Sequence, residues 1–103
     1  MREIRREWHE EEGIGFEVFA TDIANHNILE VAAGSTGPNM LGKWDVKSYI
    51  RIKDAGGTCM KIDATKDAVE IKFQGGAELE TLIGGLEFML QALKDANEEM
   101  YYA

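Results

Sequence analysis

Ten residues restrict this chain more than any others: Trp44-Asp45-Val46-Lys47-Ser48-Tyr49-Ile50-Arg51-Ile52-Lys53. Trp44, Val46, Ile50 and Ile52 fall on one side of the alternation, with Ser48 as their polar companion. Asp45, Lys47, Tyr49, Arg51 and Lys53 fall on the other. Successive strand side chains point to opposite faces, so the spacing predicts a strand with one buried and one wet face. Asp54-Ala55-Gly56-Gly57 then supplies turn residues. Thr58 to Asp63 reads as a second strand that buries Met60 and Ile62. After the turn Asp63–Asp67, Ala68 to Gln74 reads as a third, with Val69, Ile71 and Phe73 in and Glu70, Lys72 and Gln74 out. Three strands punctuated this way predict an antiparallel meander.

Gly75-Gly76 closes the meander, and the period changes. Leu79, Leu82, Ile83, Leu86, Met89, Leu90, Leu93 and Met100 recur at spacings of three and four or their multiples, the stripe of an α-helix. Glu78 and Glu80 suit the first turn, where the helix dipole favours negative charge. Asp95, Glu98 and Glu99 have the wrong sign for a helix end, so fraying is expected near Asn97. The leucine stripe is expected to pack on the Val46/Ile50/Met60/Ile71/Phe73 face of the sheet.

In the first third, Phe16–Ala20 and Ile28–Ala33 read as strands separated by the mostly polar Asp22–Asn27. Residues 2–12 carry two signals. Ile4 and Trp8 suit either a helix face or one side of a strand. Glu and Arg favour a helix, whereas Gly13-Ile14-Gly15 favours a hairpin into Phe16; a strand is the expectation adopted. The fold expected is therefore α+β, one domain over residues 1–103: an antiparallel sheet of five or six strands with one long C-terminal helix packed on one face.

The formal charge of −8, from 19 acidic and 11 basic side chains, repels phosphate backbones and anionic bilayers, so neither nucleic acid nor membrane is an expected partner. The longest apolar run is far short of the roughly 20 residues that span a bilayer. The charged start, Met1-Arg2-Glu3-Ile4-Arg5-Arg6-Glu7, does not have the form of a signal peptide. A single cysteine, Cys59, fits a reducing compartment, and a cytoplasmic location is expected.

Gly37-Pro38-Asn39-Met40-Leu41-Gly42-Lys43 spells G-x-x-x-x-G-K, the frame of a phosphate-binding loop. The following residue should be Ser or Thr for magnesium, and is Trp44; the loop should open a helix, and instead leads into a strand. Nucleotide hydrolysis is therefore not expected. A long glycine-containing loop over Gly34–Lys43 still admits an anion or small-molecule cradle, with Gly37, Asn39, Gly42 and Lys43 as its candidate residues. His9 and His26 lack a metal spacing such as H-E-x-x-H, so no metal and no cofactor are expected. Cys59 lacks a Cys–His–Asn/Asp signature and reads as a half-buried structural thiol. No carboxylate pair is marked for acid–base work.

The back of the helix is the last candidate. Thr81, Gly84, Gly85, Phe88 and Ala92 share a side turned away from the leucine stripe. Glycines inside a helix cost about 1 kcal/mol each relative to Ala, and an aromatic among small residues on a wet side suggests close approach of a second element. Two origins fit: the same helix in a second copy of the chain, with Phe88 as anchor, or a sheet that curls around the helix. The first is the expectation adopted.

Leu29-Glu30-Val31-Ala32-Ala33-Gly34-Ser35-Thr36-Gly37, Tyr49-Ile50-Arg51-Ile52-Lys53-Asp54-Ala55-Gly56-Gly57-Thr58 and Gly76-Ala77-Glu78-Leu79-Glu80-Thr81 together resemble a group of small uncharacterised bacterial proteins, some carried on phages or mobile elements. The resemblance covers the last three-quarters of the chain. It implies the α+β fold and no activity. The functional expectation is a non-enzymatic interaction or accessory protein, a homodimer or other homo-oligomer that also meets a protein partner. A small-molecule or anion binder using loop 34–43 is the alternative.

Overall fold

A computed structural model of the chain describes residues 3–25, 27–36 and 46–102, with side chains through Asn97. The elements are β1 (Arg5–Glu11), β2 (Ile14–Ala24), β3 (Ile28–Ser35), β4 (Ser48–Gly56), β5 (Lys61–Ala64), β6 (Val69–Lys72) and α1 (Gly76–Tyr102). The fold is α+β and antiparallel, with one C-terminal helix among the described residues. Its strands are divided differently from the single sheet of five or six that the sequence suggests. Four form one sheet in the order β1-β2-β3-β4, and β5 and β6 form a separate two-stranded ribbon.

Residues 5–11 are strand, not helix. Glu11 pairs with Ile14, and the two residues between them, Glu12 and Gly13, have φ of 52° and 78°. Two positive φ values in a two-residue connection make a turn whose twist matches that of the flanking strands. β3 ends at Ser35, so Gly34 and Ser35 belong to the sheet rather than to the following loop. Thr36 and Lys47 close the stem of that loop: the Thr36 N–H donates to the Lys47 carbonyl at 3.0 Å, and the Lys47 N–H donates to Thr36 Oγ1 at 3.2 Å.

The expected meander breaks after β4, which pairs with β3 and not with β5. Asp54 Oδ1 accepts the N–H groups of Gly56 and Thr58 at 2.9 and 3.4 Å, and this side-chain turn redirects the chain. Met60 and Phe73, which flank the ribbon, pack against the core, whereas Ile62 and Val69 are 53% and 66% exposed. Ile50 on β4 is likewise exposed, contrary to the burial its alternation suggests; Trp44, proposed as the first residue of that strand, lies outside the described residues.

The sheet buries residues on both faces. One face carries Ile23, Leu29, Val31 and Ala33, under α1. The other carries Phe16, Val18, Ala20 and Ala32. α1 lies over β3 and is helical to Tyr102, past the fraying expected near Asn97. No helix among the described residues is long and apolar enough to cross a membrane.

Candidate interaction surface

The orientation of α1 determines what the molecule presents to its surroundings, and glycine decides it. Leu29 and Val31 are fully buried on β3 beneath the helix. A Cβ added at Gly85 would stand 2.9 Å from Val31 Cγ1 and 3.5 Å from Leu29 Cδ2. The bulky strand and the bare helix backbone thus fit together, and no larger residue could sit at position 85 without displacing Val31. Thr81 is 2% exposed, Gly84 is buried, and Phe88 and Ala92 pack against the Leu29/Val31/Met89 cluster. The Thr81 hydroxyl donates to the Glu78 carbonyl at 2.9 Å.

The face that the sequence reading turned to solvent, and offered to a second copy, is therefore the face that meets this chain's own sheet. That is a correction for Thr81, Gly84, Gly85, Phe88 and Ala92. Its physical reason is shape: small residues let the helix axis approach a strand of large aliphatics. Part of the leucine stripe points outward in consequence, while its Met89 is in the core and its Leu93 packs against it. Leu79, Ile83, Leu86 and Leu90 are 55%, 48%, 50% and 54% exposed.

The N-terminus of α1 is fixed by Glu78, which is buried. Its carboxylate accepts the backbone N–H of Cys59 and, at 2.8 Å, that of Gln74. These two bonds, led by Cys59, hold the Glu78 carboxyl below its ordinary pKa, with burial opposing and Asn27 assisting. Cys59 and Gln74 flank the β5–β6 ribbon, so Glu78 ties the ribbon to the helix one residue before the exposed stripe begins. On the ribbon, Ile62 pairs with Ile71 and Ala64 with Val69, which puts all four on one face. Asn25, in the β2–β3 turn, donates to Glu80 at 2.9 Å.

The opposite face of the sheet carries a second candidate, a charged network. Arg51 on β4 bonds Glu30 at 3.0 Å through Nε, Glu7 at 2.9 Å through Nη2 and the Tyr49 hydroxyl at 3.2 Å through Nη1. Arg5 reaches Asp22 at 3.3 Å and Glu30 at 3.5 Å. Glu7 is on β1, three strands from β4, and strands lie about 4.8 Å apart. The Arg51–Glu7 pair must therefore stretch over the small residues between them, of which Val18, Ala20 and Ala32 have no exposed surface. The bond to Glu7, ahead of those to Tyr49 and Glu30, raises the Arg51 pKa against the opposing effect of burial. Tyr49 meets His9 with ring centroids 4.5 Å apart and Phe16 at 6.0 Å. Arg51 and Arg5 already have carboxylate partners here, so the network serves as a polar cover for an apolar layer.

The remaining sequence candidates fare differently. Gly37, Asn39, Gly42 and Lys43 lie outside the described residues, as does His26. Cys59 is exposed rather than half-buried. Among the described residues, no group of three or more His, Cys, Asp and Glu side chains is gathered as a metal site requires. Comparison with protein families, curated proteins and solved structures finds no match to this chain.

Two features escaped the sequence reading. The Arg51 network had a signal in the facing small residues Ala20 and Ala32, which leave room for long side chains above them. The exposed stripe had one in Gly84-Gly85, whose natural neighbour is a strand of large residues.

Proposed function

We propose that this chain is a non-enzymatic interaction protein that associates with itself through the outward stripe of α1. One observation carries the reading: Leu79, Ile83, Leu86 and Leu90 stand about half exposed in a continuous row on a helix whose other side is already packed. Scattered exposed leucines are ordinary, but a row of them along about three turns of one helix marks a contact surface. The ribbon supports the same reading. A lone two-stranded hairpin is marginally stable in water, and this one presents Ile62 and Val69 outward from its anchorage at Glu78. Compared with the arrangement inferred from sequence, the interface moves to the opposite side of the same helix.

The test is sedimentation velocity of wild type and Leu86→Glu, with far-UV circular dichroism on both. Wild type is expected above protomer mass, and Leu86→Glu at protomer mass with an unchanged spectrum. A wild type that stays at protomer mass up to high micromolar concentration would sink the proposal, as would a variant that unfolds because Leu86 is core.

A further inference from the structure

The outward stripe has a stricter spacing than burial in a globule requires. Leu79, Ile83, Leu86, Leu90, Leu93 and Asn97 follow one another at 4, 3, 4, 3 and 4 residues. That is a heptad seam, with Ile83, Leu90 and Asn97 at a and Leu79, Leu86 and Leu93 at d. Leu93 is already half-buried against the core, and the seam opens outward from it. The e positions are Glu80, Glu87 and Lys94, all exposed, and Lys94 is the single basic residue of α1. Of the g positions, Leu82 is half-buried and Met89, 5% exposed, is in the core under the helix.

We infer that the occupant of this seam is a second copy of the chain, with its helix antiparallel. In a parallel pair e faces g, which would set Glu87 and Lys94 against the partner's Leu82 and the partner's Met89. Met89 is already in the core, and the one lysine would find no carboxylate. In an antiparallel pair e faces e. The register that sets Leu86 on the partner's Leu90, and Ile83 on the partner's Leu93, places Glu80 beside the partner's Lys94, twice by symmetry. Only Glu87 then meets its own copy. Sliding the helices by one heptad toward their N-termini sets Glu80 against the partner's Glu87 twice; sliding the other way leaves Leu79 uncovered. Apolar cover alone would favour the slide toward the N-termini, which sets Leu79 on the partner's Leu90 and Ile83 on the partner's Leu86; charge selects the first register, in which Leu79 meets the partner's Asn97.

This inference rests on the interaction reading above, and its test separates the two. In a Cys59→Ser background, Glu87→Cys and Leu79→Cys are treated with a short bis-maleimide. In the antiparallel register the two copies of residue 87 are neighbours, whereas the two copies of residue 79 are about 27 Å apart along the axis. Glu87→Cys is expected to cross-link and Leu79→Cys not to. Charge exchange gives an independent readout: Glu80→Lys weakens the dimer at least several-fold, and adding Lys94→Glu restores it. A dimer trapped through Leu79→Cys, or one indifferent to Glu80→Lys, would overturn the antiparallel seam and leave self-association standing. A monomer at every concentration would overturn both.

Discussion

The orientation of α1 can be tested by adding one methyl group. In Gly85→Ala the new Cβ lies 2.9 Å from Val31 Cγ1, well inside van der Waals contact. Val31 is fully buried, and its branched side chain has no freedom to swing aside. Overpacking of this size costs about 1–3 kcal/mol. Replacing a helical glycine by alanine returns about 1 kcal/mol through propensity. The expected net change is a loss of about 1 kcal/mol, and Gly85→Leu should lose about 3 kcal/mol or more. If the glycine face were in water, Gly85→Ala would instead gain about 1 kcal/mol, because propensity alone would act. Urea unfolding followed by circular dichroism, at one fixed protomer concentration, reads the sign directly. Stabilisation by Gly85→Ala would refute the placement of the helix and, with it, the exposed leucine stripe.

Three further outcomes follow from the contacts. The Glu78 carboxyl titrates lower in the folded chain than in the unfolded one, so its contribution is present above the ordinary carboxylate pKa of about 4.3 and is lost as pH falls through the folded value. Glu78→Gln should destabilise the protein at pH 7 and flatten the acid limb of a pH–stability curve; an unchanged limb would remove Glu78 from the helix cap. Arg51→Ala should cost about 1–2 kcal/mol in urea unfolding, since it leaves Glu7 and Glu30 without their shared cation and uncovers Ala32; a neutral result would mean that the cover contributes nothing. Ile62→Lys should change protomer stability by less than about 0.5 kcal/mol, because the ribbon face is open; a loss of several kcal/mol would place Ile62 in the core.

Much of the fold was legible because it is local. Alternation marked β2, β3 and β4, and the glycine after Glu12 tipped residues 5–11 from helix to strand. The period of three and four from Leu79 marked α1. What remained hidden concerns partners. Alternation tells which residues share a face, yet not which strand lies alongside. Thus β5 and β6 were joined to a sheet from which the Asp54 turn directs them away. Periodicity ranked the leucine stripe above the Thr81/Gly85/Ala92 side because it weighs hydrophobicity and ignores shape. Leu29 and Val31 reverse that ranking, since large strand residues need a narrow helix face opposite them. The helix is apolar around more than one side, and only one side can meet its own sheet. The loop residues Gly37 to Lys43 lie outside the described residues, so an anion site there stays a matter of sequence alone.

The most direct measurement is native mass spectrometry of the wild-type chain across a dilution series, beside Leu86→Glu. Wild type should give twice the protomer mass of 11.5 kDa, falling to the protomer on dilution, while Leu86→Glu gives the protomer throughout. Protomer alone for wild type at every concentration, or a dimer equally populated in Leu86→Glu, would contradict the claim that the outward stripe of α1 is the interface.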